Sequence, residues 1–385
     1  MLSNADIDIM ATEEFRQSVL RNIGRDPVAV ALDKHVDNAS LVATQVKYLQ
    51  RAKHKLPRLY EACCIIPPRA FEQSSSEESA CVKAISGGSL LDLTCGLGID
   101  TISFSERFDR VVALERDEVL ARVVRYNLGL LGIKNVEVVT TTAEDYLSGC
   151  KEHFDWVFVD PDRRSEEGKK MVRMEDCSPN VLEQMPHIER VADRLGVKLS
   201  PLFDVEEARR LFPCSEVEVV SIAGECKELN VYTKAQKETL RIVIAGVGVW
   251  EYDFDKAKAL PTTAPLDIEG ARYLIIPDVA MQKGRVAVAE FGRYAQIWSN
   301  NGYAFAGVLP EGKLPAKIYE IERIERYNPK QLKKEFRGVG VEILKRDTQL
   351  SVDAVRKATG MRAGSERMIA ITAIESDIWV VHIKR

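Results

Sequence analysis

Two glycines and two acidic residues mark the part of the sequence where a ligand site can be expected. Asp92 ends a short apolar run, and Gly96 and Gly98 follow it at the start of a helix-like segment. Glycine lets the backbone turn sharply and approach a ligand, and free N–H groups at a helix start favour a carboxylate or a phosphate. Glu115 closes the next apolar run, where a carboxylate can accept hydrogen bonds from both hydroxyls of a ribose. The spacing predicts a site for a cofactor that contains a nucleoside.

A nicotinamide dinucleotide site has a similar outline, but its fingerprint has a third glycine where this chain has Thr101. The fingerprint also lacks an acid in the place of Asp92. The alternative that Gly96 and Gly98 only end a strand is disfavoured, because acidic residues stand at three successive strand ends. Residues 70–245 instead resemble the S-adenosylmethionine (SAM) dependent methyltransferases with a Rossmann-like fold, whose first motif has an acid a few residues before a Gly-x-Gly.

This resemblance implies a role for each polar residue of the region. Asp92 and the loop 96–98 are expected to hold the methionine part of SAM, Glu115 the ribose, and the segment 142–145 the adenine. The cofactor contacts implied in this way are Asp92, Thr94, Gly96, Gly98, Asp100, Glu115, Arg116, Glu144 and Asp145.

An upstream turn, residues 71–76, resembles the Glu-Gln-Ala/Ser-Thr/Ser stretch of methyltransferases related to trimethylguanosine synthase. The resemblance implies that the turn closes over SAM and that Gln73 and Ser74 contact it. A polar turn that caps the next helix is an equally good interpretation.

The fourth apolar run leads into Asp160, Pro161, Asp162, Arg163 and Arg164. Ligands of open parallel sheets lie at the carboxyl ends of the strands, so this stretch is expected to face the same crevice as Glu115. Family members that methylate amines carry an Asn/Asp-Pro-Pro-aromatic motif here. Asp160 and Pro161 match that motif, whereas Asp162 and Arg163 depart from it, and the missing aromatic residue speaks against amine methylation on a planar base.

Physical chemistry suggests roles for this stretch. Asp160 can accept a hydrogen bond from an amine and keep its lone pair directed at the methyl group, while either arginine can hold a phosphate or stack on a base. We therefore predict Asp160, Pro161 and Asp162 as catalytic and Arg163 and Arg164 as substrate-binding. The alternative is that the two arginines pair with Asp160 or Asp162 in a structural network.

The order of apolar runs predicts an α/β fold: a Rossmann-like methyltransferase sheet with an N-terminal helical region and C-terminal α+β modules. Strands that alternate with helices imply a mainly parallel sheet covered on both faces. The predicted strands of this sheet are 90–93, 111–114, 136–139, 156–159, 197–199, 217–221 and 241–245. The predicted domains are 1–80, helical; 81–248, the methyltransferase sheet; 249–312, a small α+β (ferredoxin-like) domain; and 313–385, a second α+β module with helices after Asn328 and at 352–358.

Basic residues are unevenly placed, although the net charge of the chain is −4. Residues 41–70 contain six basic residues, one acid and two tyrosines. Such a mixture suits phosphates and unstacked bases. The alternative is that these basic residues only form a solvated helix face. Residues 311–385 hold 16 Lys and Arg against 11 Asp and Glu. Their segments 344–348 and 355–360 resemble the THUMP-like tail of bacterial methyltransferases, which implies that this part presents RNA to the catalytic domain.

Other classes of protein are disfavoured by composition. The eight cysteines form no Cys-x-x-Cys pair and the five histidines lie far apart, so no metal site is predicted. No apolar run approaches the length of a membrane span, and the first residues do not resemble a secretory signal, which predicts a cytoplasmic protein.

From these motifs and resemblances we expect a SAM-dependent methyltransferase that acts on structured RNA, ribosomal or transfer RNA, at a base or its exocyclic nitrogen. The alternatives are a small molecule or protein as substrate, or an RNA-binding protein with a catalytically idle methyltransferase fold.

Overall fold

The structure is a computed structural model, and the residues that it describes are 2–163, 174–254, 268, 270–374 and 377–384. The chain forms two compact units, one of Met1–Val217 with Lys227–Lys237 and one of Glu218–Cys226 with Glu238–Arg385. Arg164 and the side chain of Arg163 lie outside the described residues, so the roles of these arginines remain predictions.

The described helices, in chain order, are α1 (Asn4–Met10), α2 (Glu13–Asn22), α3 (Pro27–Ala31), α4 (Ala39–Lys55), α5 (Pro57–Glu61), α6 (Pro68–Gln73), α7 (Glu77–Cys81), α8 (Ile99–Phe104), α9 (Glu118–Leu130), α10 (Ala143–Gly149), α11 (Val181–Val191), α12 (Val205–Leu211), α13 (Val279–Lys283), α14 (Ala287–Phe291), α15 (Pro329–Phe336) and α16 (Val352–Thr359). A short 3-10 helix covers Met174–Asp176.

The described strands, in chain order, are β1 (Gly87–Asp92), β2 (Phe108–Glu115), β3 (Val136–Thr140), β4 (Phe154–Val159), β5 (Asp162–Arg163), β6 (Cys177–Ser178), β7 (Ala192–Leu199), β8 (Glu216–Ile222), β9 (Glu225–Tyr232), β10 (Thr239–Ile244), β11 (Gly248–Asp253), β12 (Tyr273–Pro277), β13 (Ala304–Ala306), β14 (Ala316–Arg326), β15 (Gly340–Arg346), β16 (Arg362–Ala363), β17 (Arg367–Ile374) and β18 (Asp377–Ile383).

The strands around the parallel core of the first unit follow one another in the order β9-β7-β4-β1-β2-β3, which is part of a nine-stranded sheet. β7, β4, β1, β2 and β3 run parallel, and β9 is antiparallel to β7. Leu90 and Leu91 of β1 and all residues of β4 except Asp155 are buried, as expected for strands that are covered on both faces. The carboxyl ends of β1, β2 and β4 therefore open at one edge, with Glu115 at the end of β2 and Asp160 just after β4. The predicted α/β fold class is confirmed.

Helices α1 to α7 form the predicted N-terminal helical region. Apolar side chains of α4, among them Val46 and Leu49, share one core with residues of the α8 and α9 layer of the sheet, such as Val124. Buried amides complete this packing, because Asn127 both accepts from the N–H of Ile65 and donates to its carbonyl, each at 2.9 Å. Satisfied buried amides of this kind fix the position of a backbone segment. The helical region is thus part of the same compact unit as the parallel sheet.

The second unit contains the hairpin β10–β11 and a seven-stranded sheet of order β13-β12-β14-β18-β17-β15-β16. Helices α15 and α16 pack together, and their Leu332, Phe336 and Val355 share a core with Ile369 and Val380 of the sheet. The helices predicted after Asn328 and at 352–358 are present as α15 and α16. No helix of the described chain combines the length and the apolar character that crossing a membrane requires. The cytoplasmic location stays a prediction.

Candidate functional site

A cavity of about 790 Å³ lies in the first unit, at the carboxyl ends of its parallel strands. One wall follows β1 to β4, and the N-terminal helices supply another through residues such as Leu2, Ser40 and Thr44. The predicted site residues that line the cavity are Gln73, Ser74, Thr94, Gly96, Asp100, Glu115, Arg116, Glu144, Asp160 and Asp162. Asp92, Gly98, Asp145 and Pro161 are not among the described lining residues.

The glycine loop after β1 borders the cavity. Gly96 and Gly98 have φ angles of +56° and +82°, which favour glycine. A Cβ on Gly98 would also lie 3.2 Å from Cγ1 of Val124 in α9, whereas one on Gly96 would meet no atom within 4 Å. Gly98 is therefore needed for helix packing, and Gly96 leaves open space beside the backbone.

Glu115 is held in position by backbone N–H groups. The N–H of Gly96 donates to its Oε2 at 2.9 Å, and the N–H of Asp117 donates to its Oε1 at 2.8 Å. Burial raises the pKa of the Glu115 carboxyl, and these two hydrogen bonds oppose that shift. Each carboxylate oxygen has a further lone pair. The side chain can thus accept hydrogen bonds from a ligand without losing its contacts to the loop.

Asp92 lies beneath the loop. It is only 1% exposed and accepts hydrogen bonds from the N–H of Thr94 at 3.0 Å and from Oγ1 of Thr101 at 2.5 Å. Burial raises its pKa to about 7. Thr101, which stands where a dinucleotide fingerprint has its third glycine, therefore supports the loop through Asp92. Asp145 has a comparable local partner, since its carboxylate accepts from the hydroxyl of Thr142, the residue that caps α10.

Asp160 reaches the cavity from the end of β4, with 39% of its side chain exposed. Its N–H donates to Oγ1 of Thr94 at 2.7 Å, and Lys198 of β7 donates to its Oδ2 at 2.5 Å. Among the described residues, the cation that contacts Asp160 is therefore Lys198, from the neighbouring strand β7. Asp162 is exposed in β5, which pairs with β6, and Ser178 of β6 also lines the cavity.

A chain of buried ion pairs continues from Lys198 into the interior. Lys198 also contacts Asp100 at 3.6 Å, Asp100 contacts Lys83 at 2.7 Å, and Lys83 contacts Glu228 of β9 at 2.8 Å. Burial alone would raise the pKa of Asp100, but the charges of Lys83 and Lys198 hold it well below its usual range. Burial would likewise lower the pKa of both lysines, and the surrounding carboxylates raise it instead. Asp100 and the two lysines therefore stabilise each other's charged forms, whereas burial raises the pKa of the Asp160 carboxyl and Lys198 opposes that shift.

The series of ion pairs contains residues that the sequence analysis did not predict. Lys83, Lys198 and Glu228 belong to no motif, and the one signal available was a charged residue inside an apolar run, such as Lys198 between Val197 and Leu199. No group of three or more His, Cys, Asp or Glu side chains in the described chain is arranged to hold a metal ion.

The basic residues of the N-terminal region fall into two groups. Arg51 pairs with Glu72 and lies over the rings of Tyr48 and Phe71, and Lys55 donates to the carbonyl of Phe71 at 2.7 Å. These side chains hold the helices together. Lys47, Lys53 and Arg69 are exposed, and Arg69 stands at the cavity.

The cavity fits a cationic ligand. SAM carries a sulfonium and an ammonium group against one carboxylate, so it is a net cation, and opposite charges attract strongly where water is partly excluded. The acidic residues among the lining outnumber the two arginines, Arg69 and Arg116; they are Asp6, Asp100, Glu115, Asp117, Glu144, Asp160 and Asp162. The residues therefore suit SAM in charge, and the glycine loop with Glu115 suits its nucleoside.

Exposed lysines characterise α15 and α16 of the second unit. Lys333 and Lys334 lie on α15 and Lys357 on α16, all exposed. Other basic residues there have structural contacts: Arg346 donates to the carbonyl of Pro277, and Arg362 to that of Gly338.

Comparisons with known proteins match two separate parts of the chain. The family model described as THUMP domain-like matches residues 316–385, and the one described as conserved hypothetical protein 95 matches residues 74–178. The chain is 23% identical over 359 residues to an uncharacterized SAM-dependent methyltransferase of Mycobacterium tuberculosis, which covers 88% of this chain and 94% of that protein.

Two further proteins are informative. A tRNA/tmRNA (uracil-C(5))-methyltransferase of Neisseria meningitidis is 29% identical over 143 residues, 31% of this chain and 39% of its own length. A crystal structure of a protein from Porphyromonas gingivalis that is described as a methyltransferase matches all of both chains with a TM-score of 0.84 at 22% identity, which shows the fold. Together these findings confirm the predicted resemblance, the enzyme class and the cofactor.

Proposed function

We propose that this chain, a SAM-dependent methyltransferase with a THUMP-like C-terminal domain, methylates structured RNA at a base or its exocyclic nitrogen. Ribosomal and transfer RNA are the substrates we expect. The observation that carries the proposal is the match of residues 316–385 to the THUMP domain-like family on a chain whose other unit holds the cofactor cavity. The partial likeness to transfer-RNA methyltransferases and the exposed lysines of α15 and α16 support it.

The charge distribution of the first unit supports a base as the reacting group. The wall of the cavity is mainly acidic, which disfavours a phosphate inside it, whereas the exposed Arg69 at its edge suits a phosphate of the backbone. A nucleotide with its base in the cavity and its phosphate at the edge matches this arrangement. Enzymes that act on a base take it out of the stack in the same manner.

Asp160 is the residue we assign to the reacting nitrogen. Lys198 occupies its Oδ2, so the other carboxylate oxygen is available to accept a hydrogen bond from an N–H of the target. That bond orients the nitrogen lone pair toward the methyl group, which SAM supplies as an electrophile. The N–C bond forms as the S–C bond breaks, and the nitrogen then releases its proton to Asp160 or to water.

A nitrogen target is favoured over the C5 carbon of uracil. That carbon can attack the methyl group only after a nucleophile such as a thiolate has added to the uracil ring and activated it. Cys95 is the one cysteine among the described lining residues, and burial raises the pKa of its thiol well above the usual range. The thiol is therefore protonated and inert at neutral pH.

The test is a mass-spectrometric comparison of modified nucleosides in RNA from cells with and without this protein. We expect one N-methylated nucleoside to disappear and to return when the wild-type gene is restored. Restoration with the Asp160→Ala variant serves as the control and should not bring it back. An unchanged nucleoside profile would reject the RNA substrate and favour a small molecule or a protein. Full rescue by Asp160→Ala would reject the assigned role of Asp160.

A further inference from the structure

The ion-pair chain beneath the cavity is not electrically balanced. Among the described residues it contains three carboxylates, those of Asp100, Asp160 and Glu228, and two ammonium groups, those of Lys83 and Lys198. Lys83 is completely buried and Lys198 is 13% exposed, so little water screens these two ammonium groups, whereas Asp160 at the cavity end is 39% exposed. One negative charge is therefore left over.

The surplus charge is located at the cavity rather than in the interior. Glu228 accepts hydrogen bonds from Ser79 at 2.7 Å and Asn230 at 3.0 Å in addition to its ion pair with Lys83, so the inner end of the chain is well compensated. Asp100 and Asp160 are the members that line the cavity, and they share the single ammonium group of Lys198 there.

Ser75, which lies between α6 and α7, links this pair of acids to the N-terminal helices. Its hydroxyl donates to Oδ2 of Asp100 at 3.0 Å and accepts from Lys198 at 2.7 Å. Asp100, which lies on α8, is thus held by Ser75 and by Lys198 of β7, and Asp160 is held by the same lysine. A fixed charge acts on a ligand without the cost of reorganising the site.

The cofactor before and after the reaction differs mainly in charge. Its methylated form is a sulfonium cation, whereas the product, S-adenosylhomocysteine, has a neutral thioether and otherwise the same groups. We propose that the unbalanced ion-pair chain Glu228, Lys83, Asp100, Lys198 and Asp160 makes the cavity select the sulfonium form over the thioether product. This inference rests on the proposed methyl transfer and adds that the charge of the wall promotes exchange of product for fresh cofactor.

The test is a calorimetric titration of the full-length protein with each of the two ligands at about pH 8, above the pKa of about 7 that Asp92 has. The quantity of interest is the ratio of the two dissociation constants, because contacts common to both ligands cancel in it. Asp160→Asn removes a negative charge and keeps the shape, so we expect the preference for the sulfonium to fall by roughly fivefold. Lys198→Met removes a positive charge and should raise the preference by roughly the same factor.

Two variants separate charge from packing. Lys198→Arg keeps the charge, so its ratio should stay within about twofold of wild type even if both ligands bind more weakly. Arg110→Gln removes exposed ion pairs with Glu152 and Glu137 outside the cavity and should leave the ratio unchanged. A structural role alone would move the Asn and Met variants in the same direction.

Opposite shifts in Asp160→Asn and Lys198→Met support the proposal. Ratios that stay within about twofold of wild type in both variants, or that shift in one direction, overturn it. If Lys198→Met does not fold, Asp160→Asn and Lys198→Arg decide the question. If the wild-type protein binds neither ligand, the cofactor assignment itself fails and the selectivity falls with it, an outcome that differs from binding without selectivity.

Discussion

The cofactor region and the THUMP-like region use charged residues in opposite ways. Around the cavity the charges are largely buried and contact specific partners, as in Lys83, which contacts both Asp100 and Glu228. In the C-terminal region the lysines of α15 and α16 are exposed to water. A buried charge acts through its exact partners, and its loss leaves those partners uncompensated, whereas exposed charges act through their number and are screened by salt. Single substitutions should therefore have large effects in the first region, and only combined substitutions should do so in the second.

The largest effect is expected for Lys83→Met. The variant leaves the carboxylates of Asp100 and Glu228 buried without their shared cation, which should lower the free energy of unfolding by about 3 to 5 kcal/mol. Urea denaturation followed by circular dichroism measures this quantity. The matched control is Arg110→Gln, whose ion pairs with Glu152 and Glu137 are at least about half exposed and should each contribute less than about 1 kcal/mol. Equal losses in the two variants would erase the contrast between buried and exposed charges.

Asp160→Ala should reduce turnover by about a hundredfold or more, because the target nitrogen loses the group that orients it. SAM affinity should change much less, by no more than about tenfold, since the loop and Glu115 remain intact. Asp160→Asn should fall between wild type and Asp160→Ala. The measurement is a steady-state rate on the RNA identified by nucleoside analysis. If Asp160→Ala is as active as wild type and Asp162→Ala is not, the chemistry belongs to Asp162.

The sequence predicted the sheet and the acids at its edge because both depend on local pattern. Short apolar runs become strands wherever they are buried, and Glu115 and Asp160 stand at strand ends in any parallel arrangement. The other members of the ion-pair chain could not be predicted in this way. Lys198, the partner of Asp160, lies on a neighbouring strand, and Glu228, the partner of Lys83, lies on β9, which pairs antiparallel with β7. Strand order is a tertiary property that periodicity does not contain.

The N-terminal region gives a second example of this limit. Its basic residues suggested RNA contacts, yet Arg51 and Lys55 pack on the ring of Phe71 within the helical region. Composition counts charges but does not tell which of them have partners. The same packing brings α1 and α4 to the cavity wall, with α1 held to α9 by Arg122, which donates to Asp8 at 2.5 Å. No motif indicated that contribution.

Glu115→Ala tests the cofactor region at a carboxylate that is held by backbone N–H groups and not by an ion pair. The two ribose hydrogen bonds that we assign to Glu115 are worth about 1.5 to 3 kcal/mol each as an upper guide, and the N–H of Gly96 also loses its acceptor. We expect SAM affinity to fall by about tenfold to a hundredfold in calorimetric titration. Glu115→Gln keeps an acceptor and should lose less. Unchanged affinity in a folded Glu115→Ala variant would remove this residue from the site.

The smallest effect per residue is expected in the THUMP-like region, where the test must be cumulative. Deleting residues 311–385 is a poor test, because β14 pairs with β12 and its removal would disrupt the sheet of the second unit. Replacing Lys333, Lys334 and Lys357 by Gln leaves the fold intact, since all three are exposed. If each contacts a phosphate, the slope of log affinity against log salt should decrease by about 2 to 3, and RNA affinity should fall about tenfold at moderate salt.

A second triple variant separates a specific surface from simple net charge. Replacing the exposed Lys34, Lys134 and Lys151 of the first unit by Gln removes the same number of charges. If only the C-terminal triple lowers the salt slope, the phosphates contact α15 and α16, and single lysine variants should each weaken binding by no more than about threefold. Equal losses in the two triples would mean that RNA responds to the charge of the whole protein. No loss in the C-terminal triple would exclude these helices as the RNA-binding surface, because neutralised phosphates must appear in the salt dependence.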